Sequence, residues 1–233
     1  LAQSWDMNLI HRMGELVGEE MKQLHVDLWL APGMNIHRNP LCGRNFEYYS
    51  EDPVLTGLCA ATETKGVQSQ KGKGTTIKHF AGNNQEDNRM FTNAHISERA
   101  LREIYLKGFE IAVKTAQPYA IMTSYNLING VHSANNYDML QNIARDEWGF
   151  EGLVMTDWYT SQDTTEMGMV SPSGKYSHSS SVQCIKAGND LQMPGCQQNV
   201  DDIVEAVNEG KEITKADLQR CAKHILSVAL KTM

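Results

Sequence analysis

The sequence lacks a long apolar run and an excess of positive charge. Its 233 residues carry 21 Lys and Arg against 28 Asp and Glu, a formal net charge of -7, so no general attraction to nucleic-acid phosphates is expected. No stretch approaches the roughly 20 apolar residues that cross a bilayer, so we predict no membrane span. The hydrophobic fraction of 41% is typical of a soluble globular chain, but it does not assign a cellular compartment.

The sequence also lacks the motifs of metal and nucleotide sites. Its five cysteines form no CxxC pair and its eight histidines form no HExxH motif, so we predict no metal site and no cofactor. The run at 71–74 has two Lys and two Gly but not the spacing of a phosphate-binding loop. The first residue is Leu1 and no signal peptide follows it, so we expect the sequence to be internal to a longer protein.

Strand and helix signals alternate along the chain, and this alternation predicts an α/β fold with parallel strands surrounded by helices. The predicted strands are 26–30, 75–80, 119–125, 152–156 and 189–193, and the predicted helices are 5–25, 54–70, one from 97, 138–148, 200–209 and 215–231. A complete (β/α)8 TIM-type barrel has eight strands. We therefore predict that residues 1–233 form one barrel domain that is incomplete at its N-terminal side, with a long loop at 34–53 and a surface loop at 171–181.

Chemically capable side chains follow three of the predicted strands, where barrel enzymes build their sites. Asp157 ends an apolar strand and could serve as the nucleophile of a retaining glycosidase; the alternative is that it caps a following helix. Lys78 and His79 could donate hydrogen bonds to sugar hydroxyls, or they could be a solvent-facing Lys and a structural His. Tyr125 follows the third strand.

Two loops add further candidates. Arg44 in the long loop could bind vicinal hydroxyls with its guanidinium fork, or it could form an ion pair with Glu47 or Asp52. Arg89 ends a run of amides and charges at 83–89, which on its own predicts a solvated loop.

Four motifs, taken in order, resemble family 3 glycoside hydrolases over nearly the whole chain, and within that family the bacterial β-glucosidases. They are Asn35-Ile-His-Arg-Asn-Pro-Leu-Cys-Gly-Arg44-Asn-Phe-Glu47, Lys78-His79-Phe80, Ser97-Glu-Arg-Ala-Leu-Arg-Glu-Ile104 and Val154-Met-Thr-Asp157-Trp158. The resemblance implies a small β-glucoside or oligosaccharide as substrate, with no nucleic acid and no membrane as partner.

The resemblance also assigns roles to individual residues. It makes Asp157 the catalytic nucleophile, which would form a covalent glycosyl-enzyme, and we expect nearby cations to keep its pKa low. The positions that match the family's substrate-binding residues are Arg44, Lys78, His79, Arg89, Met122, Tyr125 and Trp158.

The acid/base Glu of this branch lies in a following α/β sandwich domain, so the resemblance implies that the remainder of the enzyme supplies it. Without those segments, the chain would be inactive. Three alternatives stay open: a β-xylosidase of the same family, a non-catalytic sugar-binding fragment, and a barrel acting on sugar phosphates, against which the net charge argues.

Overall fold

The computed structural model describes residues 1–167 and 169–233. Its first half begins with helix α1 (Met7–Gln23), strand β1 (Leu28–Trp29), helix α2 (Pro53–Gln68), strand β2 (Gly74–Phe80) and strand β3 (Asn93–Ala94). Helix α3 (Glu98–Ala100) continues through a π-helical stretch, Leu101–Tyr105, towards helix α4 (Lys107–Ala116).

The second half contains strands β4 (Ala120–Thr123), β5 (Leu127–Ile128) and β6 (Val131–His132), then a π-helical segment, Asp138–Glu147, and strand β7 (Leu153–Met155). Helices α5 (Ser181–Ala187), α6 (Gln197–Glu209) and α7 (Lys215–Thr232) complete the chain. Short 3-10 turns occur at Ala2–Ser4, Asn45–Glu47, Ser133–Asn135 and Thr165–Met167.

Four of the strands form a parallel sheet in the order β1-β2-β4-β7. Ile121 pairs with Ile77 on one side and with Val154 on the other, and all three side chains pack among the surrounding helices. Met122 and Met155 belong to a separate cluster on the other face, as expected because successive side chains of a strand alternate between faces. The predicted α/β architecture of parallel strands surrounded by helices is confirmed.

Side-chain caps define where the helices begin. Asp6 accepts hydrogen bonds from two amides of α1, and Asp52 does the same for α2, which has Pro53 in its first turn; both arrangements stabilise a helix start. Ser97 caps α3.

Three local predictions need correction. The predicted strand 189–193 is only a parallel bridge between Leu191 and Met155, and helix α5, which begins at Ser181, was not predicted. A small sheet of β3, β5 and β6 was also missed. Its β5–β6 hairpin turns at Asn129 and Gly130, which both have positive φ, the geometry that an Asn-Gly type I′ turn requires.

Within the described residues, no helix is long and apolar enough to cross a membrane, and no group of three or more His, Cys, Asp or Glu is arranged to hold a metal ion.

Candidate active site

The eight residues that the sequence singled out line one cavity at the C-terminal ends of the strands. The cavity has a volume of about 230 Å³, below the roughly 300–1,000 Å³ of pockets for drug-sized ligands, so it suits a small molecule. Its lining residues are Leu30, Arg44, Lys78, His79, Arg89, Met122, Tyr125, Asp157 and Trp158.

Asp157 lies two residues after β7, with its side chain nearly buried. Its Oδ1 accepts a hydrogen bond of 2.7 Å from the backbone N–H of Trp158. Its Oδ2 lies 3.6 Å from His79 Nε2 and has no hydrogen-bond partner among the described residues. The side chain caps no helix, so the capping alternative is wrong, and one carboxylate oxygen stays free for a ligand.

Burial raises the pKa of Asp157 above its ordinary value. The hydrogen bond from Trp158, the nearby hydroxyl of Tyr125 and the charges of Arg44 and Arg89 act in the opposite direction but do not offset the burial. The expectation of a low pKa is therefore wrong for this chain, because removal from water destabilises the charged carboxylate more than the nearby cations stabilise it.

His79 is fully buried and held by hydrogen bonds to Asn35. The Asn35 amide donates to the backbone carbonyl of His79 at 2.8 Å, and its Oδ1 accepts from the backbone N–H at 2.9 Å. The same Oδ1 lies 3.2 Å from His79 Nδ1. Because Oδ1 can only accept, this contact favours a proton on Nδ1 and leaves Nε2 as an acceptor facing Asp157.

Burial lowers the pKa of His79 well below its ordinary value, and the cations Arg44, Lys78 and Arg89 lower it further. Nε2 of His79 and Oδ2 of Asp157 are then two acceptors 3.6 Å apart, to each of which a hydroxyl group of a ligand can donate. Tyr48, whose hydroxyl lies 3.3 Å from Nδ1, packs edge-on against the imidazole.

Arg44 and Lys78 share one carboxylate. Arg44 Nε donates to Glu47 Oε1, and Lys78 Nζ lies 3.8 Å from Glu47 Oε2. Of the two ion-pair partners that the sequence offered for Arg44, the structure places it against Glu47. This pairing does not remove Arg44 from the cavity, because both it and Lys78 still line its wall.

Arg89 and Tyr125 form the neighbouring wall. The Arg89 guanidinium carbon lies 4.7 Å from the centre of the Tyr125 ring, a cation–π contact. Arg89 also donates to Glu86 at 2.8 Å, and Asn83 donates to the other oxygen of Glu86 at 3.2 Å. Of the run 83–89, Arg89 lines the cavity, whereas Gln85, Asp87 and Asn88 are exposed, as the solvated-loop prediction expects.

Met122 and Trp158 give the cavity its apolar side. Met122 is almost fully buried in β4, and Trp158 packs against the cluster that contains it. Asp157 is the only carboxylate among the residues that line the cavity. In the part of the chain that the structure describes, no second lining carboxyl group is thus available for acid catalysis.

Sequence reasoning gave no role to Asn35, Tyr48 or Glu86, and treated Glu47 only as one alternative partner. The first two contact His79 from 44 and 31 residues away, so no local pattern reports them. Glu47 and Glu86 each lie three residues from the Arg they bind, and an acidic residue at that spacing is a usable signal.

Comparisons with known proteins give matches over nearly the whole chain. Residues 1–228 match the family model described as the glycosyl hydrolase family 3 N-terminal domain. The chain is 49% identical over 232 residues to an exo-α-(1→6)-L-arabinopyranosidase of Bifidobacterium breve, covering 100% of this chain and 28% of that protein. It is 43% identical over 234 residues to a β-glucosidase of Ruminococcus albus, covering 100% of this chain and 24% of that protein.

A solved structure supports the fold directly. β-Glucosidase 3B of Thermotoga neapolitana in complex with glucose superposes with a TM-score of 0.88 at 47% identity, covering 99% of this chain and 31% of that one. The chain therefore spans less than a third of the length of each of these relatives.

Proposed function

The chain belongs to glycosyl hydrolase family 3, and on that premise we propose that it is the nucleophile-bearing barrel domain of a retaining β-glucosidase. The substrate is a terminal, non-reducing β-D-glucosyl residue of a small glucoside or cello-oligosaccharide. The observation that carries the proposal is the position of Asp157, whose free Oδ2 opens onto the cavity that the predicted sugar-binding residues line.

In the proposed reaction, Asp157 Oδ2 attacks the anomeric carbon of the sugar. The bond from that carbon to the leaving oxygen breaks, and the leaving oxygen takes a proton from a second carboxyl group, which gives a covalent glycosyl-enzyme. Water then attacks the same carbon, gives a proton to the second carboxylate and releases Asp157. The contact from the Trp158 amide orients the carboxylate, and burial leaves its free oxygen poorly solvated.

The remaining lining residues have complementary roles in this proposal. Arg44, Lys78 and Arg89 donate hydrogen bonds to sugar hydroxyls, and His79 accepts one through Nε2. Tyr125 lies beside the nucleophile. Met122 and Trp158 form the apolar wall against the sugar ring or the leaving group.

The second carboxyl group comes from outside these residues in our proposal. Retaining glycosidases place their two carboxyl groups about 5–5.5 Å apart, and Asp157 is the only carboxylate among the described lining residues. The chain also spans only 24–28% of the lengths of the two relatives above. We therefore propose that it works with further segments of a longer protein, one of which carries the acid/base Glu.

A mechanism-based label tests the proposal. The intact protein is incubated with a 2-deoxy-2-fluoro-β-glucoside that carries a good leaving group, and its mass is measured before and after, followed by peptide mapping. We expect one fluoroglucosyl adduct on the peptide that contains Asp157. An adduct on another residue, or turnover without any covalent intermediate, contradicts the assignment.

The 49% identity to an arabinopyranosidase favours a second candidate, α-L-arabinopyranoside hydrolysis by the same nucleophile. An α-L-arabinopyranoside differs from a β-D-glucoside by the inverted C4 hydroxyl and the missing hydroxymethyl group. The ratio of kcat/KM for the two nitrophenyl glycosides decides between the candidates. A ratio above about tenfold in either direction is expected, since lost polar contacts usually discriminate at least that strongly.

A further inference from the structure

We propose that Glu47 is a positioning residue of this site, whose carboxylate holds the side chains of Arg44 and Lys78 in their binding geometry. The inference rests on the function proposed above. It concerns a side chain that does not line the sugar cavity but contacts two residues that do.

The two oxygens of the Glu47 carboxylate contact different cations. One oxygen accepts from Arg44 Nε, and the other lies 3.8 Å from Lys78 Nζ. Because Arg44 uses Nε for this contact, the outer nitrogens of its guanidinium stay free for a ligand: no protein acceptor binds them among the described residues. A planar guanidinium anchored at Nε can present its terminal fork to vicinal hydroxyls in a fixed orientation.

The charge of Glu47 also matters for Lys78. Burial lowers the pKa of Lys78, and the adjacent Arg44 lowers it further, whereas the charges of Glu47 and Asp157 raise it. Burial also lowers the pKa of the other titratable neighbour along the chain, His79. Glu47 is the larger of the two favourable influences, so removing its charge would leave Lys78 as a weaker hydrogen-bond donor as the pH rises.

The test is Glu47→Gln in the intact protein, because Gln retains an acceptor for Arg44 while removing the charge. We expect KM for an aryl β-glucoside and Kd for δ-gluconolactone to rise about tenfold to a hundredfold, the range for loss of a charged hydrogen bond. We expect the alkaline limb of the kcat/KM profile to move to lower pH and kcat to change less. If Glu47 had only a structural role, the alkaline limb of the kcat/KM profile would stay at the wild-type pH.

The matched control is Glu51→Gln, which removes an exposed charge from the same loop without touching either cation. If both variants weaken binding equally, or if folded Glu47→Gln keeps the wild-type Kd and alkaline limb, the proposal is overturned. If Glu47→Gln does not fold, Glu47→Asp keeps the charge and shortens the reach. It should weaken binding while leaving the alkaline limb in place, and unchanged binding overturns the proposal.

Labelling separates this inference from the proposed function. If Glu47→Gln is labelled on Asp157 at the wild-type rate, the positioning role fails and the glucosidase assignment stands. If the wild-type protein is not labelled but binds δ-gluconolactone in a Glu47-dependent way, the assignment fails and the positioning role stands. If it binds no sugar lactone, both fail.

Discussion

At the residue scale, Asp157 is held in a state that favours reactivity over stability. Its carboxylate is buried, one oxygen lacks a partner in the described chain, and the facing atom of His79 is itself an acceptor. A carboxylate in these surroundings is harder to ionise than one in water. A carboxylate that is poorly solvated in this way lowers the stability of the fold whenever it is charged.

Asp157→Asn should therefore reduce activity while stabilising the fold. Turnover should fall by roughly four orders of magnitude, the scale of loss for a nucleophile or its base. The melting temperature should rise at neutral pH, since Asn carries no charge and its amide can donate to His79 Nε2; each kcal/mol corresponds to roughly 2–4 °C at this size. Kinetics and thermal unfolding of the intact protein measure both effects.

The sign of the pH dependence follows from the direction of the shift. The pKa of Asp157 is raised in the folded state, so the wild type loses stability as pH rises through that value and regains it as pH falls. The stability difference between Asp157→Asn and wild type should thus disappear at low pH. Asp146→Asn, at an exposed position, serves as the control. A variant that is less stable than wild type at neutral pH would contradict the argument.

At the element scale, the loop after β1 positions the cation side of the cavity. Gly33 forms a parallel bridge with Lys78, and a Cβ at Gly33 would lie 2.9 Å from the Tyr48 ring and 3.2 Å from Glu47 Oε2. Both neighbours contact lining residues of the site. Glycine is required at this position because a side chain would lie too close to these two neighbours, and not because the backbone has a positive φ.

Gly33→Ala should disturb Tyr48 and Glu47 together. We expect kcat/KM to fall about tenfold or more, because overpacking here typically costs 1–3 kcal/mol and displaces groups that hold the site. Gly43→Ala is the matched control, because its Cβ would meet only Glu86 Cγ, at 3.9 Å. Equal kinetics of the two variants would show that the loop tolerates the added methyl group.

Asp190 connects three elements behind the site. Its Oδ2 accepts from Arg145 of the π-helical segment and from the Val154 amide of β7, and its Oδ1 lies against His224 of α7, all at 2.8 Å. The side chain of Asp190 is fully buried. This connection fixes β7, the strand that delivers Asp157.

Asp190→Ala should destabilise the domain by about 3–5 kcal/mol, because it leaves the buried Arg145 without its carboxylate. That loss corresponds to a decrease of roughly 6–20 °C in melting temperature. Asp201→Ala, on the exposed side of α6, should stay within about 0.5 kcal/mol of wild type. Denaturant unfolding of both variants measures the difference, and similar stabilities would argue against the role of Asp190.

At the scale of the whole molecule, the sequence predicts long elements well and short ones poorly. Helices α1, α2 and α7 were all predicted, and each has four or more turns. Strands β3, β5 and β6 have two residues each, too few to show an alternating pattern. Their pairing depends on contacts between segments that are distant in the chain.

The site was predictable to a similar extent. All eight expected residues reach one cavity, but the motif resemblance selected them, since a lone Arg or His has many possible roles. The predicted direction of the Asp157 pKa shift was wrong because the burial of a side chain cannot be inferred from the residues next to it in the sequence. The hydrogen bond between Asn35 and His79 joins residues 44 positions apart. It likewise cannot be inferred from the local sequence.

The charge of the cavity differs from that of the chain. The whole sequence carries -7, yet the cations of the cavity are balanced locally by carboxylates. The three cations are Arg44, Lys78 and Arg89, and the three carboxylates are Asp157, Glu47 and Glu86. A balanced cavity on an acidic domain fits a neutral ligand and has no surplus positive charge for a phosphate.

This balance predicts the response to charge on the substrate. A β-glucoside bearing a 6-phosphate should have kcat/KM about tenfold to a hundredfold below that of the neutral glucoside, because the cations that would meet the phosphate already have carboxylate partners. For the neutral glucoside, kcat/KM should change less than about twofold between low and high salt, since salt screens only interactions between charges. Both are measured with the intact protein. Two results would show that the cavity carries uncompensated positive charge: preference for the phosphorylated substrate, or strong salt dependence with the neutral one. Either result would favour a sugar phosphate as ligand.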